Sequence, residues 1–151
     1  MKHRSRRKSA DVEAFSRQLH NHSMKATPRR IAVHEAMMNL VHASADQVLE
    51  SVLKAGKVKI TRGTVYTILS ELADKGIYAR RYSSTGTMFF DVNPWRHVHL
   101  YDTRNHDFVD LDEEEILKGV EDRLRGRRFK GYKIDDIDIQ IICHPTRKKL
   151  L

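Results

Sequence analysis

Apolar positions recur at helical spacing four times in the first half of the chain. Over 10–20, Val12, Phe15 and Leu19 fall three and four residues apart, the pattern of one face of a short amphipathic helix. Thr27-Pro28 opens a second helix: threonine accepts from the first free amides, and the N–H that proline lacks is not needed at the first helical position. Ile31, Met38 and Val41 follow at helical spacing, with Ala32, Met37 and Leu40 widening the stripe. Ser44 and Gln47 have the spacing of a capping box and start a third helix, with Val48, Leu49, Val52 and Leu53 as its expected buried face and Gly56 at its end. Val58-Lys59-Ile60 predicts no more than a small strand or bridge. Thr61 then caps a fourth helix, with Val65, Ile68, Leu69 and Leu72 inward and Gly76 just past its end.

Beyond Gly76 the period changes to two. Runs 77–82 and 87–92 alternate and are joined by Ser83-Ser84-Thr85-Gly86, a hairpin turn signal. Three helices followed by a hairpin predict a winged helix-turn-helix, placed over 10–92. Asn93-Pro94 breaks the pattern, so 93–95 reads as a hinge. Further on, 96–101 and 107–111 predict strands, and 112–128 predicts a helix with Ile116, Val120 and Leu124 on one side. Ile137, Ile139 and Ile141 alternate with Asp138 and Gln140 in a last strand. The expected fold class is α+β, an N-terminal winged helix-turn-helix followed by a small α/β domain over 96–151. A core that small gains from association with a second copy.

Composition sharpens this reading. The chain of 151 residues carries 28 Lys+Arg against 20 Asp+Glu, a net +8, which favours anionic partners. Its single cysteine, Cys143, excludes a disulfide framework within the chain and a zinc site of two or four thiolates from one chain. No apolar run approaches the ~20 residues of a membrane span, so a soluble, cytoplasmic protein with no membrane partner is expected. Residues 1–9 hold Lys2, Arg4, Arg6, Arg7 and Lys8 without an acid and read as a solvated arm, with phosphate contact as the alternative. Charge is segregated. Between 54 and 81 the balance is +5, whereas 107–122 holds eight acids against Lys118 alone.

The basic stretch coincides with the fourth helix and the hairpin, where a winged helix presents itself to phosphates. On that helix the inward stripe leaves Arg62, Gly63, Tyr66, Thr67 and Ser70 outward. In a major groove such a face offers an Arg–guanine contact and an aromatic or hydroxyl contact to a thymine methyl. The alternative is an ordinary solvated helix face.

His97 and His99 flank Val98 in a predicted strand, so both imidazoles share a face and can share an ion. Asp91 closes the hairpin just before the hinge, Asp110 lies on the following strand, and His42 sits in the turn before the third helix. Three imidazoles and two carboxylates without sulfur suit Fe(II), Mn(II) or Zn(II). Ligands on both sides of the hinge give an ion control of the angle between the halves. The remaining histidines, His3, His20, His22, His34 and His106, are expected to be solvent-exposed or capping.

Several segments together resemble the ferric uptake regulator (Fur) family over roughly 20–145. They are Met24-Lys25-Ala26-Thr27 with Arg30, His42-Ala43-Ser44-Ala45, Arg62-Gly63-Thr64-Val65-Tyr66, Leu72-Ala73-Asp74-Lys75-Gly76-Ile77, Phe90-Asp91 and His97-Val98-His99-Leu100. The resemblance implies a homodimeric bacterial repressor. Its winged helix would bind inverted-repeat operators in double-stranded DNA, its C-terminal α/β domain would dimerise, and iron, zinc or manganese would act as co-repressor. It also implies a regulatory metal site at His42, Asp91, His97, His99 and Asp110, and operator contacts from Lys25, reaching a minor groove, and from Tyr66; with the fourth helix, the expected DNA-binding set is Lys25, Arg62, Thr64, Tyr66 and Thr67. Asp91, where many iron sensors have Glu, resembles the peroxide-sensing branch. Thr67 replaces the Arg that commonly follows the tyrosine, which changes the expected base preference.

Two departures stand out. The family's first CxxC falls on Asp102 and Asn105, and the second is missing, so no structural four-thiolate zinc is expected and the C-terminal domain must be held by packing. A further family site falls on Arg96, Val98, Leu117 and Ile137, none of them a ligand for a divalent ion. Two other readings stay open at this point. Cys143-His144-Pro145 could supply an axial ligand to haem, similar to the haem-responsive iron response regulators; the alternative is an inert thiol at a strand end. His97-Val98-His99-Leu100-Tyr101-Asp102 is one residue off the HxHxD of metallo-hydrolases, and the chain lacks the large α/β scaffold such enzymes use.

Overall fold

A computed structural model describes residues 11–147; the basic arm expected at 1–9 lies outside the described residues. The chain divides between Pro94 and Trp95 into two compact units.

The first unit runs α1 (Val12–Asn21), α2 (Pro28–Leu40), β1 (His42–Ser44), α3 (Ala45–Ala55), α4 (Arg62–Asp74), β2 (Ala79–Tyr82) and β3 (Met88–Asp91). Three of its four helices begin at the expected caps, and α1 begins at Asp11, whose carboxylate accepts from the Ala14 amide. Thr27 Oγ1 accepts from the Arg30 amide at 3.3 Å and Thr61 Oγ1 from the Thr64 amide at 3.3 Å. Ser44 and Gln47 form the reciprocal capping box, at 3.3 and 3.0 Å. Gly56 ends α3 in the left-handed region at φ 68°, which glycine adopts without a steric penalty. Phe15, Leu19, Val33, Met37, Val48, Val65, Leu69, Leu72 and Phe90 close one core between the helices and the sheet.

That sheet has the order β1-β3-β2, all antiparallel. The first strand corrects the sequence reading, which left His42 in a turn. Val41 ends α2 at φ 63°, accepts from the Val92 amide at 3.1 Å and swings the chain directly into β1. A β-branched residue in that region is strained by about 1–3 kcal/mol, which the flanking strand pairing must offset. Other differences have simple causes. Leu53 is 53% exposed because α3 buries a narrower face than its stripe of four suggests. Residues 58–60 form no strand. His34, expected at the surface, is buried: its ring stacks on Phe15 at 3.9 Å, and its Nδ1 lies 2.6 Å from the Tyr78 hydroxyl.

The second unit contains β4 (Val98–Asp102), β5 (Asp107–Leu111), α5 (Glu114–Leu124) and β6 (Ile139–Cys143). Its sheet has the order β5-β4-β6, antiparallel on one side of β4 and parallel on the other. Register sets the faces. His99 stands opposite Asp110 and Gln140, and Tyr101 opposite Phe108 and Ile142. The helix is shorter than 112–128 because Arg125 leaves helical geometry (φ −59°, ψ 125°) before Gly126 at φ 72°. It buries no residue completely, and Val109, Ile116 and Ile142 are exposed at 52, 40 and 60%.

At Asp102 and Asn105, where the resemblance implies a CxxC, hydrogen bonds close the β4–β5 turn. Asp102 accepts from the Arg104 and Asn105 amides at 2.8 and 3.2 Å and from Asn105 Nδ2 at 2.7 Å. Thr103 donates through both its amide (2.9 Å) and its hydroxyl (3.0 Å) to the Cys143 carbonyl, tying the turn to the end of β6. Arg96, just before β4, pairs with Asp136 at 2.6 Å. No described helix is long and apolar enough to cross a membrane.

Candidate functional site

In the second unit three of the expected ligands converge. The ring of His99 is wholly buried on β4, and the centroid of His97, one residue before the strand, is 4.2 Å from it. Both Nε2 atoms meet one oxygen: Asp110 Oδ1 lies 2.9 Å from His97 Nε2 and 3.1 Å from His99 Nε2. The strand alternation puts the two rings on one face, and the β4–β5 register delivers Asp110 to that face.

The tautomer of His97 follows from its other nitrogen. Nδ1 lies 2.7 Å from the Trp95 carbonyl oxygen, which can only accept, so Nδ1 carries the proton. In a neutral ring, Nε2 then turns a lone pair toward the Asp110 carboxylate. Two acceptors at 2.9 Å attract each other only with a proton or a cation between them. The separations also match the roughly 3.0–3.4 Å between neighbouring ligands around an ion with bonds of about 2.1 Å. Carbonyl-to-Nδ1 support is the usual outer-shell arrangement for a ligating imidazole. The residues therefore fit a divalent cation on the chemistry of the donor set.

The other two expected ligands meet in the first unit. His42 and Asp91 are partners in the β1–β3 register, with His42 Nε2 3.5 Å from Asp91 Oδ2. Asp91 is wholly buried and held on every side. Its Oδ1 accepts from the Asn93 amide at 2.8 Å, and its Oδ2 accepts from Arg81 Nε at 3.1 Å. Arg81 is itself 3% exposed and reaches the Asn93 carbonyl at 3.4 Å. Sequence reasoning missed this role and assigned Arg81 to the DNA-facing charge. The signal was its phase: in the alternating run Arg81 is in step with Ile77 and Ala79, and a cation on the inward phase of a strand needs a buried anion.

The expected DNA face is less uniform than the sequence suggests. Lys25, Arg62, Tyr66 and Thr67 are exposed and Thr64 is half-buried. Tyr66 keeps 46% of its surface while its ring meets the edge of Phe90 at 6.1 Å. Thr64 and Thr67 line a concavity of about 490 Å³ together with Thr27 and Arg29 at the start of α2. Arg62 pairs with Asp46 on α3, whose hydrogen bond and charge raise its already high pKa. Ser70 corrects the outward set: it is half-buried with its Oγ enclosed, and its carbonyl accepts from Arg80 at 3.3 Å. Arg80 also pairs with Asp74, and the local charge of +5 is partly neutralised by acids outside the stretch, Glu35 on Lys57 and Asp46 on Arg62. In the second unit, the Cys143 thiol donates to the Tyr101 carbonyl at 3.5 Å.

Comparison with known proteins agrees with this architecture. The family model described as the ferric uptake regulator family matches residues 21–142. A ferric uptake regulation protein of Bordetella parapertussis is 30% identical over 104 residues, covering 67% of this chain and 74% of that protein. Among solved structures, the Vibrio cholerae ferric uptake regulator superposes with a TM-score of 0.70 at 18% identity, over 87% of this chain and 99% of that one. The Pseudomonas aeruginosa ferric uptake regulator with manganese gives 0.67 at 20% identity, over 87 and 97%. The match places the chain among transcription regulators rather than hydrolases. With a family model spanning 21–142 and a two-unit α+β fold in common, the chain belongs to the ferric uptake regulator family of metal-responsive transcriptional regulators.

Proposed function

We propose that this chain is a homodimeric cytoplasmic repressor in which His42, Asp91, His97, His99 and Asp110 are ligands of one divalent ion, and that filling this set raises affinity for an inverted-repeat operator. The observation that carries the reading is the approach of two imidazole Nε2 atoms to a single Asp110 oxygen, a donor cluster at the separations expected around one divalent ion. His42 and Asp91, paired in the first unit, supply the remaining N and O donors. When bound, the ion supplies a common positive focus for side chains from both sides of the 93–95 hinge. His97 is held for this role by the Trp95 carbonyl, and Asp91 by Arg81 and Asn93. Nitrogen and oxygen donors without sulfur admit iron, manganese or zinc.

Reading of the operator falls to α4. Tyr66 and Thr67 offer an aromatic face and a hydroxyl to base edges, and Arg62 becomes available to guanine or phosphate by exchanging its exposed pair with Asp46. Lys25 and Thr64 approach the backbone or the minor groove. Dimerisation through the second unit would cover Val109, Ile116 and Ile142. Asp91 in place of Glu supports a peroxide-responsive variant of the same mechanism. The Cys143 thiol, engaged with the Tyr101 carbonyl, is read as structural rather than as a haem ligand.

Gel shifts on an AT-rich inverted repeat, with Mn(II) and with chelator, test the reading. Tight binding only with Mn(II) is expected, and equal affinity in both would remove the metal from the mechanism. His97→Ala should abolish the metal dependence with the circular dichroism spectrum unchanged. Tyr66→Ala should weaken DNA binding while leaving metal affinity intact.

A further inference from the structure

The segment between α5 and β6 is divided in charge: its first part, 125–133, is strongly basic, Asp135, Asp136 and Asp138 follow it, and the basic part serves neither the metal ligands nor α4. From Arg125 to Lys133 it carries five cations and no acid. Arg125 pairs back to Asp122, but among the described residues Arg127, Arg128, Lys130 and Lys133 take part in no ion pair. The segment has a defined shape. The Tyr132 amide donates to the Phe129 carbonyl at 3.0 Å, closing a tight turn through Gly131 at φ 82°. The Arg127 guanidinium lies 5.7 Å from the centroid of the Phe129 ring, which holds that side chain against the turn. Tyr132 is 83% exposed, and the turn borders a concavity of about 510 Å³.

A solvated surface loop needs neither so many cations of one sign nor an aromatic ring left in water. Like charges this close repel, and an extended anion relieves them. We propose that this turn is a second contact for duplex DNA, independent of sequence, in which Arg127, Arg128 and Lys130 meet backbone phosphates and the Tyr132 hydroxyl donates to another. Arginine, lysine and tyrosine are the side chains that fix a protein on a duplex without reading it. The inference rests on the chain being a DNA-binding regulator, and adds a surface outside the winged helix through which it holds its operator or the DNA beside it.

The test uses the full chain loaded with Mn(II) on a labelled duplex, with affinity followed by anisotropy from about 50 to 200 mM salt. Each phosphate contact contributes about 0.9 to the slope of log affinity against log salt, so R127S/R128S/K130S should flatten it by about 2–3 per protomer. The control R104S/K118S/R123S removes the same charge from exposed positions of the same unit and should change the slope by less than about one. Equal slopes for the two triple variants, or no change in either, would overturn the proposal. So would an R127S/R128S/K130S variant that keeps the wild-type DNA slope and loses binding to phosphatidylserine vesicles, which would assign the turn to a membrane surface. Failure of the regulator reading looks different: wild-type DNA binding would then be indifferent to Mn(II).

Discussion

Tyr78 shows how one buried polar contact fixes a helix in place. Burial pushes its phenol well above the ordinary value, and its hydroxyl meets His34 Nδ1 at 2.6 Å beneath the Phe15 ring. Below pH 10 the phenol is neutral in both folded and unfolded chains, so this group contributes no pH dependence there. Above pH 10 only the unfolded chain releases the proton readily, and stability falls by up to about 1.4 kcal/mol per pH unit. Tyr78→Phe should remove that alkaline loss, yet lower stability at neutral pH by about 1–3 kcal/mol because His34 Nδ1 loses its partner. Urea titrations at pH 7 and pH 11 read both effects. Arg81 is the second case. Arg81→Met leaves the buried Asp91 carboxylate without its cation and should cost about 3–5 kcal/mol.

Elements differ in how much of them the sequence announces. Thr27, Ser44 and Thr61 mark helix starts because a cap is local chemistry, complete within four residues, and all three make the expected bonds. Ser44→Ala should therefore cost about 1 kcal/mol in a denaturant titration. The hairpin of β2 and β3 is legible for the same reason. What escapes is non-local. The strand β1 exists only because β3 lies beside it, and three residues carry no period to read. Buried His34 and Arg81 acquire their roles from Phe15, Tyr78 and Asp91, up to 44 residues away. In the candidate site, the alternation of His97 and His99 is visible in the chain, whereas the Trp95 carbonyl that selects the tautomer is not. The turn at 102–105 is similar: loss of CxxC is plain, but its replacement by the Asp102–Asn105 and Thr103–Cys143 bonds is not. Thr103→Val should loosen the end of β6 and lower stability by about 1 kcal/mol, with faster amide exchange confined to β4–β6.

The whole molecule combines a basic reading unit with a second unit whose sheet and helix leave apolar side chains exposed. If those side chains meet a second copy, Ile142→Asp should give a monomer in sedimentation and weaken operator binding far more than it changes metal affinity. Metal control of this regulator, as proposed, requires one ion answering to both units. Titration calorimetry with Mn(II) on the wild-type protein, His42→Ala and His97→Ala tests this most directly. One tight binding event per protomer, lost alike when either histidine is removed, is the predicted result. Two separate events, one abolished by His42→Ala and the other by His97→Ala, would contradict it.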